Sequence, residues 1–208
     1  MVESLKLKTR WTVWENFFTV QGGQQSDEAW KRAINKVLSF DDLGVFAKMW
    51  NNLSYHKPTQ TFFFDPVKKV NRRFEVKDRT EMEQINGINI FRNDITPEWA
   101  DPENKNGGDY QLMLDESNNP ENIDEYWQEL LLQVVGETFK LSDQINGIRL
   151  IDKSRGDLAI RLEIWVKYDK DNDTKLALEF EGALADFLKA NESKVKVHFS
   201  KIQYKSHK

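Results

Sequence analysis

The chain has 208 residues, no cysteine and a net charge of −4 at pH 7. Without thiols it has no disulfide, no cysteine nucleophile and no cysteine-based metal site, which favours a reducing compartment, cytoplasmic or nuclear. Its acidic balance argues against a protein that coats nucleic acid, because such binding requires many basic residues. A small anionic ligand held by two or three cations is compatible with this charge. The first residues lack the apolar core of a signal peptide, and the longest apolar cluster is too short to span a bilayer.

The N-terminal part predicts a strand, a loop and a helix. Residues 9–17, TRWTVWENF, alternate as a strand does, and a polar loop then delivers Trp30. The following stretch, AWKRAINKVL, is compatible with either a helix or a strand. Asp41 or Asp42 then caps a helix. The apolar residues of that helix have helical spacing: Leu43, Phe46, Trp50 and Leu53.

The middle of the chain is less regular. Residues 58–83 are rich in charge, and no element in them is convincing. Residues 88–91 predict a strand leading into a loop, and 110–114 predict its return strand. The clearest helix follows, with Asp124 as its N-cap. Its apolar face consists of Trp127, Leu130, Leu131, Val134 and Val135.

The C-terminal part predicts two strands, 147–152 and 158–168, joined by a polar turn. A helix over 174–190 and a strictly alternating closing strand over 194–199 follow. Because strands mostly neighbour strands, we expect an α+β fold with an antiparallel sheet and helices on one face.

Seven tryptophans are many for this length. Alternation along 158–168 places Leu158, Ile160, Leu162, Ile164 and Val166 on the buried face. Trp165 then points away from the helix-covered core, beside a cation. Together with Trp30 and Trp99, which adjoin polar loops, it makes three indoles available to a ligand, an arrangement suited to a stacked base with phosphates held by cations. The alternative is that all seven tryptophans pack in or at the edge of the core.

Signals for catalysis are weak. The three histidines are widely separated and lack metal-ligand spacing, and no glycine pair has a phosphate-loop context. An enzyme that hydrolyses nucleotides or caps would need a metal-binding carboxylate cluster, and none has recognisable spacing. We therefore expect a binding protein with no catalytic residue, metal or cofactor.

Five motifs, in order, resemble the mRNA cap-binding translation initiation factor 4E family across nearly the whole chain. They are TRWTVWENF, Trp30 ahead of SFDDLGVFAKMWNNL, PEWADPENKNGGDY, DEYWQELLLQVVGETF and GDLAIRLEIW. The resemblance implies a single cap-binding domain over residues 1–208, built on a curved antiparallel sheet with about three helices on its convex face. It also implies a role in translation initiation or its regulation, with capped mRNA as the ligand.

By this resemblance the 7-methylguanine base stacks between Trp30 and Trp99. Trp165 would contact the methyl group. The positive charge of the methylated base strengthens its attraction to indole faces. The triphosphate would meet three cations, Lys153, Arg155 and Arg161, through charge-assisted bonds.

The first departure from the family pattern concerns the guanine edge. Ala100 stands where the family has a glutamate that accepts the base N–H bonds. Glu98 is the first candidate to replace it, because in an extended segment it has the same side-chain parity as Ala100. Asp101 is the second. The alternative is that both are simply loop carboxylates. If cap binding is weak or lost, the protein acts mainly as a protein-interaction module.

The second departure concerns the helical surface that binds the family's scaffold partner or its repressors. Ala47 stands where the family has a tryptophan, so a partner of the usual mode should bind weakly, or a non-standard partner is used. The implied surface comprises Leu43, Phe46, Ala47, Glu129 and Leu132. Residues 58–83 are an insertion relative to the family. Either its basic residues reach nucleotides beyond the cap, or the insertion is simply a solvated loop. Such departures are similar to those of kinetoplastid paralogues.

Overall fold

The computed structural model describes residues 5–19, 33–67, 70–71, 74–75, 82–114, 117–153 and 160–208. The first elements are β1 (Lys6–Thr19), β2 (Ile34–Asp42), helix α1 (Leu43–Asn52), a 3-10 turn (Ser54–His56) and the short helix α2 (Pro58–Phe62). Strands β3 (Phe63–Asp65), β4 (Val70–Asn71), β5 (Phe74–Glu75), β6 (Met82–Arg92) and β7 (Gly108–Leu114) follow. The remaining elements are α3 (Pro120–Val135), a 3-10 turn (Ser142–Gln144), β8 (Ile145–Asp152), β9 (Ile160–Val166), α4 (Thr174–Glu192) and β10 (Phe199–Ser206).

The strands form a curved antiparallel sheet in the order β10-β7-β9-β8-β6-β1-β2, with β5 also paired to β6. β3 and β4 form a separate two-stranded sheet. The sequence predicted β7 as the return strand of β6, and the structure corrects this, because β8 and β9 lie between them. The loop between β6 and β7 therefore crosses one end of the sheet instead of closing a hairpin.

One face of the sheet, here called the helix face, packs against the helices around the main apolar core. β1 and β6 contribute Trp11, Val13, Ile88 and Ile90, and the helices contribute Trp127, Leu130 and Phe180, among others. The α+β fold is thus confirmed. The described residues contain four α-helices where about three were predicted, and the additional one is the five-residue α2.

Local sequence signals predicted the N-cap of one helix correctly and the N-cap of another wrongly. Asp42 caps α1, as one of the two predicted alternatives, and its side chain accepts from the backbone N–H groups of the first turn. Asp124 does not cap α3, contrary to prediction. Asn119 is the cap, and Pro120 opens the helix, because proline has no N–H to leave unsatisfied there. Asp124 lies inside the helix, buried against Thr59.

The closing strand also differs from the prediction. The strand is Phe199–Ser206, and 194–198 pair with no described strand. Asn118 hydrogen-bonds the backbone of His198, and Asn122 bonds that of Lys196, so side chains near the start of α3 hold this segment. The stretch AWKRAINKVL, which was compatible with a helix or a strand, is a strand from Ile34 onward. Within the described part of the chain, no helix is both long and apolar enough to cross a membrane.

Candidate functional site

The face of the sheet away from the helices, here called the open face, carries the predicted site residues of β9. Ile160, Leu162, Ile164 and Val166 belong to the main core. Arg161, Glu163 and Trp165 alternate with them and lie on the open face, as the period-two pattern predicted. The register aligns Lys205 of β10 with Asp109 of β7 and, through it, with Trp165.

Trp99 lies in the loop between β6 and β7, which its own side chains hold in a fixed shape. Asp101 accepts from the Thr96 backbone N–H at 2.9 Å and from the Thr96 hydroxyl at 2.8 Å. The Asn104 amide donates to the carbonyls of Thr96 and Glu98. Trp99 nevertheless remains 46% exposed, so this loop presents a large aromatic surface to solvent. The hydrogen bonds of Asp101 and Asn104 therefore fix the backbone on which this exposed indole stands.

The same loop is anchored to the sheet and to the C-terminal residues. A Cβ added at Gly107 would lie 2.0 Å from the Val166 carbonyl oxygen, so glycine permits the close approach of these two backbones. The His207 backbone N–H donates to the Gly107 carbonyl, and His207 Nδ1 donates to the Asn104 carbonyl at 2.9 Å. His207 Nε2 lies 3.0 Å from a buried carboxylate oxygen of Asp109. The position of Trp99 thus depends on residues far away in sequence.

The C-terminal strand also contacts the Trp99 ring, which the sequence analysis missed. The Lys205 ammonium lies 3.8 Å from the centre of the indole, and the His207 ring is stacked at 6.0 Å. The signal was present, because Lys201, Gln203 and Lys205 alternate with Ile202 and Tyr204. The strand was instead predicted a few residues too early.

Trp165 lies on the predicted face but is fully buried, which corrects the expectation that it is available to a ligand. His207 covers it at a ring distance of 4.3 Å, and Phe91 meets it edge-on at 5.4 Å. The indole N–H donates to Glu163 at 2.8 Å. Alternation correctly gave its direction, but only tertiary packing placed other side chains above it. In this conformation Trp165 offers no surface for the predicted methyl contact.

Buried charges lie beside Trp165. Glu163 pairs with Arg149 at 3.4 Å and with Arg161 at 2.5 Å. Burial alone would raise the pKa of Glu163, but Arg149 and then Arg161 outweigh it and hold that pKa below its ordinary value. Burial lowers the pKa of Arg149. Glu163 thus pairs with both arginines, and a second buried carboxylate, Asp109, also acts on Arg149.

The predicted phosphate-binding cations are partly brought together. Lys153 is exposed as a residue, but its ammonium lies among enough protein atoms that desolvation, followed by repulsion from Arg161, lowers its pKa. Lys205 also lowers the pKa of Lys153, so these cations act on one another across the open face. Arg155 lies outside the described residues, as does Trp30, the other predicted stacking ring.

The geometry of the loop changes the argument about the guanine edge. Residues 98–106 form turns, so the parity that linked Glu98 to Ala100 does not apply. Asp101 uses both carboxylate oxygens within the loop, the second accepting from the Glu103 N–H, and it is a structural residue. The Glu98 carboxylate forms no hydrogen bond to any described residue and is partly exposed. Of the two candidates, Glu98 is the one whose carboxylate is not bonded within the loop.

The predicted partner surface divides into exposed and buried members. Leu43 and Leu132 are exposed large apolar residues, and Ala47 is also exposed. Phe46 is buried against Phe40 and Trp50, which corrects its placement on the surface. Glu129 is partly exposed and forms an ion pair with Lys194 at 3.3 Å. Val45, which the sequence analysis did not include, is 42% exposed on α1.

Curated relatives of the chain are translation initiation factors. It is 27% identical over 165 residues to eukaryotic translation initiation factor 4E of Dictyostelium discoideum, covering 79% of this chain and 53% of that protein. It is 24% identical over 204 residues to factor 4E-1 of Caenorhabditis elegans, covering 97% and 80%. The chain therefore spans only about half of the Dictyostelium protein.

Solved structures with the same fold include Ascaris suum eIF4E-3 with an m7G cap, at a TM-score of 0.66 and 18% identity, covering 99% of this chain and 92% of that one. Another is C. elegans eIF4E-3 with the 4E-binding protein Mextli and a cap analog, at a TM-score of 0.63 and 20% identity, covering 98% and 93%. The family model described as Eukaryotic initiation factor 4E matches residues 6–208. The resemblance drawn from the motifs is thus confirmed, and the chain belongs to the eukaryotic initiation factor 4E family.

Proposed function

We propose that this protein binds the 7-methylguanosine cap of mRNA and acts in translation initiation or its regulation. The observation that carries the proposal is Trp99, which a rigidly bonded loop holds 46% exposed. A cationic, methylated purine stacked on this ring would gain a cation–π attraction of roughly 0.5–2 kcal/mol. Trp30, at the family's spacing, would supply the second ring. Binding involves no chemistry on the RNA.

The cations of the open face suit the phosphates of such a ligand. Lys153 and Arg161 lie close enough to repel one another, and a bound phosphate would relieve that repulsion. Arg155 would join them. These local charges explain how a chain with a net charge of −4 can hold an anion. Base and phosphates would thus be recognised at neighbouring places.

The solved relatives support this proposal by what they contain. Ascaris suum eIF4E-3 is solved with both an m7G and an m2,2,7G cap. Schistosome eIF4E is solved with m7GpppG and 4E-BP. We infer a capped RNA as the ligand and a helical-motif partner, such as a scaffold initiation factor, on the helical surface. We further propose that the protein acts in the cytoplasm, where translation takes place, and also enters the nucleus.

A protein partner of the family's usual mode is expected to bind weakly, or a non-standard partner is used. Leu43, Val45 and Leu132 are exposed apolar residues on α1 and α3. Ala47 supplies no aromatic anchor, and aromatic anchors contribute much of the energy of such interfaces. Together with Ala100, this residue supports a divergent member of the family, and the pattern is similar to that of kinetoplastid paralogues. We propose one domain over residues 1–208, with 58–83 as its insertion.

A second candidate function is a protein-interaction module whose cap binding is weak or lost. Two observations favour it. Ala100 cannot accept the guanine N–H bonds, and the Trp99 ring is already in contact with Lys205. The exposed Trp99 indole and the cations Lys153 and Arg161 count against this candidate, because they are the groups that a cap would need.

A tryptophan-fluorescence titration with 7-methyl-GTP, with GTP as the reference ligand, tests the proposal. Wild-type protein should show saturable quenching that is tighter for the methylated nucleotide. Trp99→Ala should abolish it. Trp50→Ala is the matched control, because Trp50 lies on α1 against His56, away from the loop, and its removal should leave affinity unchanged. Equal or absent responses of wild-type protein to the two nucleotides would support the interaction module instead.

A further inference from the structure

Lys205 is placed where a cationic base would need to act. Its ammonium lies 3.8 Å from the centre of the Trp99 indole, within the distance at which a cation is attracted to an aromatic face. Lys205 is an exposed residue of the edge strand β10. The free protein thus satisfies the exposed indole with a cation of its own.

This contact opposes a cationic base whichever face of the indole the base takes. On the same face, the ammonium must leave before the base can stack. On the opposite face, the positive charge polarises the ring toward itself and repels a second cation through it. A neutral purine does not experience this repulsion, so Lys205 reduces the preference for the methylated base.

Phosphates would reverse this effect. Lys205 lies near enough to Lys153 to lower the pKa of that lysine, and Arg161 belongs to the same group of cations. A ligand phosphate among these residues would attract the Lys205 ammonium through a charge-assisted bond, which is stronger than an exposed cation–π contact. The indole would then be free for the base.

We propose that Lys205 is a specificity-determining residue of the cap site, which withholds Trp99 from a base until the ligand's phosphates draw the ammonium away. The proposal rests on the proposed function. It makes phosphate recognition a condition of base stacking. The protein would therefore select nucleotides with a polyphosphate over free methylated nucleosides more strongly than its cation count alone implies.

The test compares 7-methylguanosine with 7-methyl-GTP by fluorescence titration on wild-type protein and three variants. Lys205→Met removes the charge and keeps an unbranched side chain. It should increase the affinity for 7-methylguanosine roughly 2- to 30-fold, which corresponds to the energy range of one cation–π contact. The affinity for 7-methyl-GTP should increase less, or decrease, because the variant lacks the ammonium that would pair with a ligand phosphate. Lys205→Arg retains a cation that stacks on aromatic faces and should bind 7-methylguanosine as weakly as wild type.

Lys201→Met is the matched control, because Lys201 lies on the same strand and the same face but opposite Met113, away from Trp99. It should not change the affinity for 7-methylguanosine. The proposal is overturned if Lys205→Met leaves 7-methylguanosine binding unchanged, or changes both ligands equally, while wild type binds 7-methyl-GTP. If no protein of the series binds 7-methyl-GTP, the cap-binding proposal itself fails, and this inference fails with it.

Discussion

The side chain of Asp124 should make the fold more stable at mildly acidic pH than at neutral pH. Comparing the unfolding free energies of wild type and Asp124→Asn tests this prediction. The carboxylate is buried in α3 and accepts from the Thr59 N–H at 2.9 Å and the Thr59 hydroxyl at 2.6 Å. Burial raises the pKa of Asp124 from 3.8 to about 6, although both bonds from Thr59 and the nearby Lys57 lower it. The charged form is therefore tolerated in the fold at a cost.

The sign follows from proton binding. Between about pH 4 and about pH 6 the folded state binds a proton that the unfolded state has released, so raising the pH favours unfolding. The contribution is fully present below about pH 4 and is lost as the pH rises through about 6. A shift of about two pKa units corresponds to ~3 kcal/mol, of which ~1.4 kcal/mol falls between about pH 5 and about pH 7.5.

Urea unfolding, followed by far-UV circular dichroism at several pH values in this range, measures the effect. The relevant quantity is the difference in unfolding free energy between Asp124→Asn and wild type. Carboxylates whose pKa is held low, such as Glu137 and Asp169, act in the opposite direction and cancel in that difference. Glu125→Gln, at the adjacent exposed position of α3, controls for the loss of a helix charge.

Asparagine resembles the protonated acid in shape and charge, and its oxygen can still accept from the Thr59 N–H. The difference should therefore shift in favour of the variant by about 1.4 kcal/mol from about pH 5 to about pH 7.5. A difference that stays constant over this range would refute the assignment of a raised pKa to Asp124. A shift of the same size in Glu125→Gln would refute its attribution to this buried site.

Two further predictions concern the open face. Gly147→Ala should cost about 1–3 kcal/mol of unfolding free energy in urea, because its Cβ would lie 2.4 Å from the buried Phe91 ring. Gly182→Ala, on a helix with nothing within 4 Å, is the control and should gain up to ~1 kcal/mol. Glu98→Gln should weaken 7-methyl-GTP binding about 10-fold or more in a fluorescence titration, because a charged acceptor is lost, whereas Glu103→Gln in the same loop should not. An unchanged dissociation constant for Glu98→Gln would exclude this carboxylate.

Features that depend on neighbours along the chain could be predicted from the residues alone. Period-two alternation gave the two faces of β9 and the direction of Trp165. Helical spacing and a cap at Asp42 gave α1. The order of five motifs along the chain gave the family, and the family model that matches residues 6–208 confirms it.

Which side chains meet across the sheet depends instead on how distant segments pack in the folded chain. The burial of Trp165 depends on His207, and the state of Trp99 depends on Lys205, each far away in sequence. Asp101 was a candidate acceptor until the turns of its loop occupied both of its oxygens. Local patterns give the direction of a side chain, whereas the register of distant strands determines what covers it and what remains for a ligand.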